Sequence, residues 1–320
     1  MDRLISLGEN DTCTGNDEME KYMHPTVYSL FFITGLPGNC LSLYVAWVQM
    51  QKGNSLAVYL VNLSISDLLY IITLPVWIML AMKKTVNDTL CSLTAVIMYN
   101  SFYVGSGFLC CISMDRYLAV VFPLYFARAH RMQTAALVSM FVWLIEIFLH
   151  IGLLAYTRDL QEFSSKRLCE EKMPLKSKQA TMAIIRVVLS FLVPLLLMAF
   201  CFHQIIVSLK KSASTAASER KKIRNLLCLL LVIYMVSFTP YQVVMFIRGI
   251  MERDQCGIAK QLSNSYTVFV ATTTINSVLD PIVYCLITDN AKTEILKIYT
   301  QCQHQLSRAV SRISFSSSNA

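Results

Sequence analysis

Residues Ser277-Val278-Leu279-Asp280-Pro281-Ile282-Val283-Tyr284 set a carboxylate and a proline inside an apolar run. The pattern recurs upstream. Asp67 lies in Leu63-Ser64-Ile65-Ser66-Asp67-Leu68-Leu69, and Glu146 in Trp143-Leu144-Ile145-Glu146-Ile147-Phe148. A carboxylate in hydrocarbon costs roughly 2.5–3.5 kcal/mol on insertion scales, so intramembrane acids read as functional residues. Around these acids the chain divides into seven apolar stretches of span length, near 27–49, 56–80, 92–121, 134–155, 180–209, 222–249 and 262–287. About 20 apolar residues cross a bilayer as a helix. The whole chain agrees: 55% hydrophobic, 15% charged, mean hydropathy +0.51. The expected fold is an all-α membrane protein, a bundle of seven transmembrane helices.

Little chain is left outside the spans. Residues 1–25 read as an extracellular N-terminus, 26–288 as the seven-transmembrane domain, and 289–320 as a cytoplasmic helix and Ser-rich tail. The first 25 residues are polar and acidic and lack the apolar core of a signal peptide, so the first span is expected to act as its own anchor. Lys52, Arg131, Lys210, Arg220, Lys221, Lys222 and Arg224 fall in the first, third and fifth connections. The positive-inside rule makes those cytoplasmic and puts the N-terminus outside, as in a multi-pass plasma-membrane protein. The sequons at Asn10 and Asn87 are then extracellular candidates for glycosylation, whereas the one at Asn62 lies within a span. The net charge of +8 sits mostly at the cytoplasmic face, which suits anionic lipid and protein partners and not nucleic acid.

Of eleven cysteines, Cys13, Cys91, Cys169 and Cys256 are external in this topology. That space is oxidising, and four cysteines allow three pairings. Cys302, just past the last span, is either a palmitoylation site or an idle thiol.

Asp115-Arg116-Tyr117 ends the third stretch, Trp143 lies in the fourth, Pro194 in the fifth, and Phe238-Thr239-Pro240-Tyr241 in the sixth. With Asn39, Asp67 and Asp280-Pro281-Ile282-Val283-Tyr284, this ordered set resembles the rhodopsin-like (class A) G-protein-coupled receptors over about residues 25–303. Leu109-Cys110-Cys111-Ile112-Ser113-Met114 before Asp115, Thr73-Leu74-Pro75, Arg186 and Asp280 are similar to the proton-sensing and lysophospholipid-type group. The resemblance implies a heterotrimeric G protein as partner, with Asp115, Arg116 and Tyr117 at the coupling end. It implies a short cytoplasmic amphipathic helix after the seventh span. It also implies disulfides Cys91–Cys169 and Cys13–Cys256, and a buried acidic triad at Asp67, Glu146 and Asp280.

Burial and like-charge neighbours favour the neutral form of a carboxyl, and interacting acids titrate as a set. Protons are therefore the first candidate agonist, acting on Asp67, Glu146, Asp280 and His150, the last four residues beyond Glu146. The alternative agonist is a lysophospholipid or fatty-acid-type lipid. Its pocket would comprise Arg186, Tyr99, Phe102, Tyr103, Phe238, Tyr241 and Phe269, with Arg186 holding the headgroup or pairing with Glu170 or Glu171. Asp67, Asn276 and Ser277 are candidate ligands of an allosteric sodium ion, with Gly105 lacking the hydroxyl that would complete the cage; no other cofactor is expected. Ser307, Ser311, Ser314, Ser316, Ser317 and Ser318 suit receptor kinases and arrestin. A channel or transporter would show repeats or discontinuous helices, and a hydrolase would need a metal set or nucleophile–base pair. An enzyme is not expected.

Overall fold

The computed structural model describes residues 13, 17–129, 131–157, 169, 173–211, 217–287 and 300. Asn10, Glu170, Glu171, Cys302, the helix expected after the seventh span and the serines of the tail lie outside these residues.

Among the described residues, six helices are long and apolar enough to cross a membrane. The first span is Asp17–Gln51, the third Asp88–Val121, the fourth Met132–Thr157 and the sixth Ala217–Met251. The second is Leu56–Ile71 continued by Leu74–Ala81. The fifth is Ser177–Val187, a π turn at Val188–Leu192, then Val193–Lys211. The seventh completes the bundle in two pieces, Cys256–Thr272 and Thr274–Ile287. A short helix, Pro123–Ala129, lies in the third connection.

The first helix starts ten residues before the expected span. Its 35 residues extend about 52 Å at 1.5 Å per residue, well beyond a hydrocarbon core of about 30 Å. The outer turns are polar and are anchored by the nearby disulfide Cys13–Cys256, whose Cα atoms lie 5.6 Å apart. The second disulfide, Cys91–Cys169 with Cα atoms 5.5 Å apart, ties the fourth connection to the third span.

The third span is the most buried of the six and the fourth the least. Leu137, Phe141, Ile145 and Phe148 of the fourth point outward, as expected for side chains whose solvent is lipid. Prolines organise the interior through the carbonyls they release. Pro281 has no N–H for the carbonyl four residues back, and Asn39 Nδ2 donates to that Ser277 oxygen at 2.6 Å. In the π turn before Pro194, Ser106 Oγ donates to the Ser190 carbonyl at 3.4 Å. Neighbouring side chains satisfying freed backbone groups is the condition under which Pro survives in hydrocarbon. The sequence-predicted second span breaks at Ile72 and Thr73, with Pro75 opening the next piece.

Candidate functional site

The sequence-predicted acids do not form one cluster. They occupy two places in the bundle.

The lower place joins the second and seventh spans. Asp67 and Asp280 are 3% and 4% exposed. Asp67 has Ser277 and Asp280 as its polar neighbours. Asn276 Nδ2 donates to Asp280 Oδ2 at 2.8 Å. Four buried acceptors here have no donor: Asp67 Oδ2, Asp280 Oδ1, Asn276 Oδ1 and Asn39 Oδ1. Gly105 of the third span borders this group, because a Cβ there would stand 3.6 Å from Ser66 Oγ and 3.8 Å from Asn276 Nδ2. A cluster rich in acceptors and poor in donors can be completed by a proton or a small cation. Among the described residues no group of three or more His, Cys, Asp or Glu side chains fit to hold a metal ion occurs, so any cation here would rely on two carboxylates and neutral oxygens.

The upper place lies between the fourth and fifth spans. Glu146 is half-buried, with Oε2 unpaired. The charge that acts on it is Arg186, but no ion pair links the two. Helical spacing set Glu146 and His150 on one face. They nevertheless form no ion pair; His150 is buried with Nδ1 unpaired and meets Tyr99 edge-on at 6.4 Å. Arg186 lies over the Tyr103 ring at 4.2 Å, with Nη2 unpaired. The separation of Glu146 from Asp67 and Asp280 follows from the fourth span, which sits at the edge of the bundle and turns Glu146 toward the fifth.

Above Glu146 opens a cavity of about 210 Å³, lined by Tyr99, Tyr103, His150, Arg186 and Tyr241 among others. Gln242 also lines it, beside the Tyr103 hydroxyl. A second cavity of about 80 Å³ includes Phe102, Tyr99 and Tyr241. Two residues expected in the pocket lie outside both cavities. Phe238 is fully buried and stacks on Phe102 at 4.6 Å and on Tyr234 at 4.6 Å, forming core beneath the cavities. Phe269 packs on the same core. Both were expected to line the pocket as apolar aromatics of the upper bundle, but the rotation of each helix directs them into the packing.

The sequence reading missed two arrangements. His24, buried in the outer turns of the first helix, holds the Thr267 carbonyl at 3.0 Å from Nε2 and faces Glu20 at 3.8 Å from Nδ1. It stacks on Tyr28 at 4.9 Å. Only the longer first helix brings it there. Arg248 and Glu252 form a buried pair at the outer end of the sixth span, with Nε–Oε2 at 2.5 Å and Nη2–Oε1 at 3.0 Å. Glu252 Oε1 also accepts the Leu175 N–H at 2.8 Å. The i,i+4 spacing was the available signal.

At the cytoplasmic end Arg116 Nη2 contacts Asp115 Oδ2 at 2.6 Å, and Tyr117 packs edge-on to Phe122 at 5.8 Å. Exposed Asn87 caps the third span, accepting from the Thr89 and Leu90 N–H groups.

Residues 38–284 match the model of the 7 transmembrane receptor (rhodopsin family). The chain is 31% identical over 305 residues to G-protein coupled receptor 68 of Homo sapiens, covering 94% of this chain and 83% of that protein. It is 33% identical to G-protein coupled receptor 65 of Homo sapiens, covering 92% and 91%. It is 36% identical to Probable G-protein coupled receptor 132 of Mus musculus, covering 92% and 78%. With its seven spans and its paired Asp115 and Arg116, the chain belongs to the rhodopsin family of seven-transmembrane receptors.

Proposed function

We propose that extracellular protons activate this receptor. Membership of the family makes it a multi-pass plasma-membrane protein that signals through G proteins and not an enzyme. The proton reading rests on the lower place, where four buried acceptors lack donors around Asp67 and Asp280. A proton on either carboxyl supplies the missing donor and removes a like-charge contact. If the active packing holds these groups closer, protons shift the population toward it. Glu146, facing Arg186, is a further proton acceptor in this reading. His150 faces Arg186 and Tyr99 and has one unpaired nitrogen. A sodium ion at Asp67, Asn276 and Ser277 would occupy the same acceptors and oppose the proton. The test is nucleotide exchange by G protein during acid steps in lipid-free medium, on parent and Asp280→Asn receptors. A parent response that Asp280→Asn displaces supports the reading; an unchanged curve rejects it.

A second reading is favoured by Arg186, whose Nη2 is unpaired at the upper cavity, with the Gln242 amide lining the same space. These groups suit a lipid with an anionic headgroup. Phosphorylation of the tail serines, with arrestin binding, belongs to either reading.

A further inference from the structure

The fourth and fifth spans leave an apolar groove of about 220 Å³ on the outside of the bundle. Phe148, Leu149 and Gly152 form one wall, and Ile185 and Leu189 the other. Phe148, Ile185 and Leu189 are exposed, and in this membrane protein that exposure is to lipid. A Cβ built on Gly152 meets nothing within 4 Å, so the wall is open there. The inner end is polar. Arg186 lines both this groove and the upper cavity, as do Leu153 and Met182. Ser190, also lining the groove, is 4% exposed, and its Oγ has no partner. It sits in the π turn Val188–Leu192. π turns insert an extra residue into a helix and recur at functional sites. An unpaired guanidinium nitrogen and an unpaired buried hydroxyl at the end of a lipid-facing apolar groove call for an acceptor carried on a chain.

We propose that this groove is a binding site for a single-chain anionic lipid drawn sideways from the bilayer, with its chain along Gly152 and its acid group at Arg186 and Ser190. The proposal rests on the second reading above only in taking Arg186 as the anion's partner; it does not require that the lipid be an agonist. Glu146 faces Arg186 from the fourth span without closing an ion pair, so the guanidinium keeps donors to offer.

The test uses the full-length receptor in phosphatidylcholine nanodiscs. The probe is palmitic acid carrying a photoreactive diazirine on its chain, with labelled peptides mapped by mass spectrometry. Label is expected on peptides containing Gly152 and Ser190. Unlabelled palmitate should compete, and palmitoyl alcohol, with the same chain and no charge, should compete about tenfold less, the scale of a lost charge-assisted hydrogen bond. Gly152→Phe should fill the groove and abolish the label, and Arg186→Gln should weaken it about tenfold for the same reason. Equal competition by acid and alcohol, or label spread evenly over all lipid-facing helices, overturns the proposal. The competition arm needs no variant, so it decides even if Gly152→Phe fails to fold. Palmitate-driven nucleotide exchange, measured separately, tests agonism: a lipid that labels the groove without driving exchange sinks the second reading and leaves the groove standing.

Discussion

Asn276 donates one amide proton to Asp280 Oδ2 at 2.8 Å, and the other Asp280 oxygen, buried beside Asp67, receives none. In the proton reading proposed above, this half-satisfied carboxyl is the group that would take the proton. Its neighbour across the helix interface is another acid, so a hydrogen bond between them requires a proton on one. Neutral mimics should therefore act on the pair as a unit. Asp67→Asn and Asp280→Asn together should deviate from the sum of the singles by about 0.5–3 kcal/mol, the range for residues in contact. Thermal unfolding of the four receptors at alkaline pH measures the deviation; strict additivity would separate the two sites.

The Arg248–Glu252 pair should be a stability element. Both side chains are at most 3% exposed. Glu252→Ala removes the carboxylate from the buried Arg248 and the acceptor from the Leu175 N–H, and breaking a buried pair costs about 3–5 kcal/mol. Glu252→Gln should cost less, because its amide oxygen still accepts from Leu175. Melting temperatures of detergent-solubilised variants check the order.

Removing Cys91 or Cys169 should reduce surface expression more than removing Cys13 or Cys256, because that link fixes the long fourth connection on the third span. Loss of a native disulfide in small domains costs about 2–5 kcal/mol. Peptide mapping that finds either thiol free in active receptor contradicts this.

Arg116→Ala should abolish agonist-driven nucleotide exchange while leaving the receptor at the cell surface, since Arg116 pairs with its chain neighbour Asp115 and lies half-buried at the cytoplasmic end. Equal exchange in mutant and parent would remove Arg116 from the coupling machinery.

Tyr234 Oη lies 3.0 Å from Ser106 Oγ and donates to the Phe191 carbonyl at 3.2 Å, joining the third, fifth and sixth spans. Tyr234→Phe should destabilise by about 1 kcal/mol, a typical net hydrogen bond. It should also raise basal exchange, because the sixth helix loses a tie to its neighbours. Unchanged basal exchange would make the contact purely structural.

The number of spans, their identity and the Asp115–Arg116 pair were legible because hydropathy and short motifs are local properties of sequence. The packing role of Asn39 was half legible: Pro281 announces a freed carbonyl, but only the bundle shows which side chain reaches it. Helix rotation was not legible. Nothing local decides that Glu146 turns to Arg186 instead of to Asp67, or that Phe238 enters the core instead of the pocket. His24 was hidden because its burial depends on helical turns that extend past the bilayer beside a disulfide 243 residues apart in sequence. The π turn at Val188–Leu192 has only Pro194 as its signal, and a proline alone fits a simple kink equally well.

The most direct test of proton activation is the pH–response curve of nucleotide exchange for parent, Glu146→Gln and Asp280→Asn receptors, in lipid-free medium from about pH 8 to about pH 6, where buried carboxyls can titrate. The account predicts that the parent switches on with acid. Asp280→Asn, already neutral, should be active at alkaline pH or respond at a higher midpoint, with Glu146→Gln shifting the curve separately. A flat parent curve, or variants that reach the surface and overlay the parent, would contradict it.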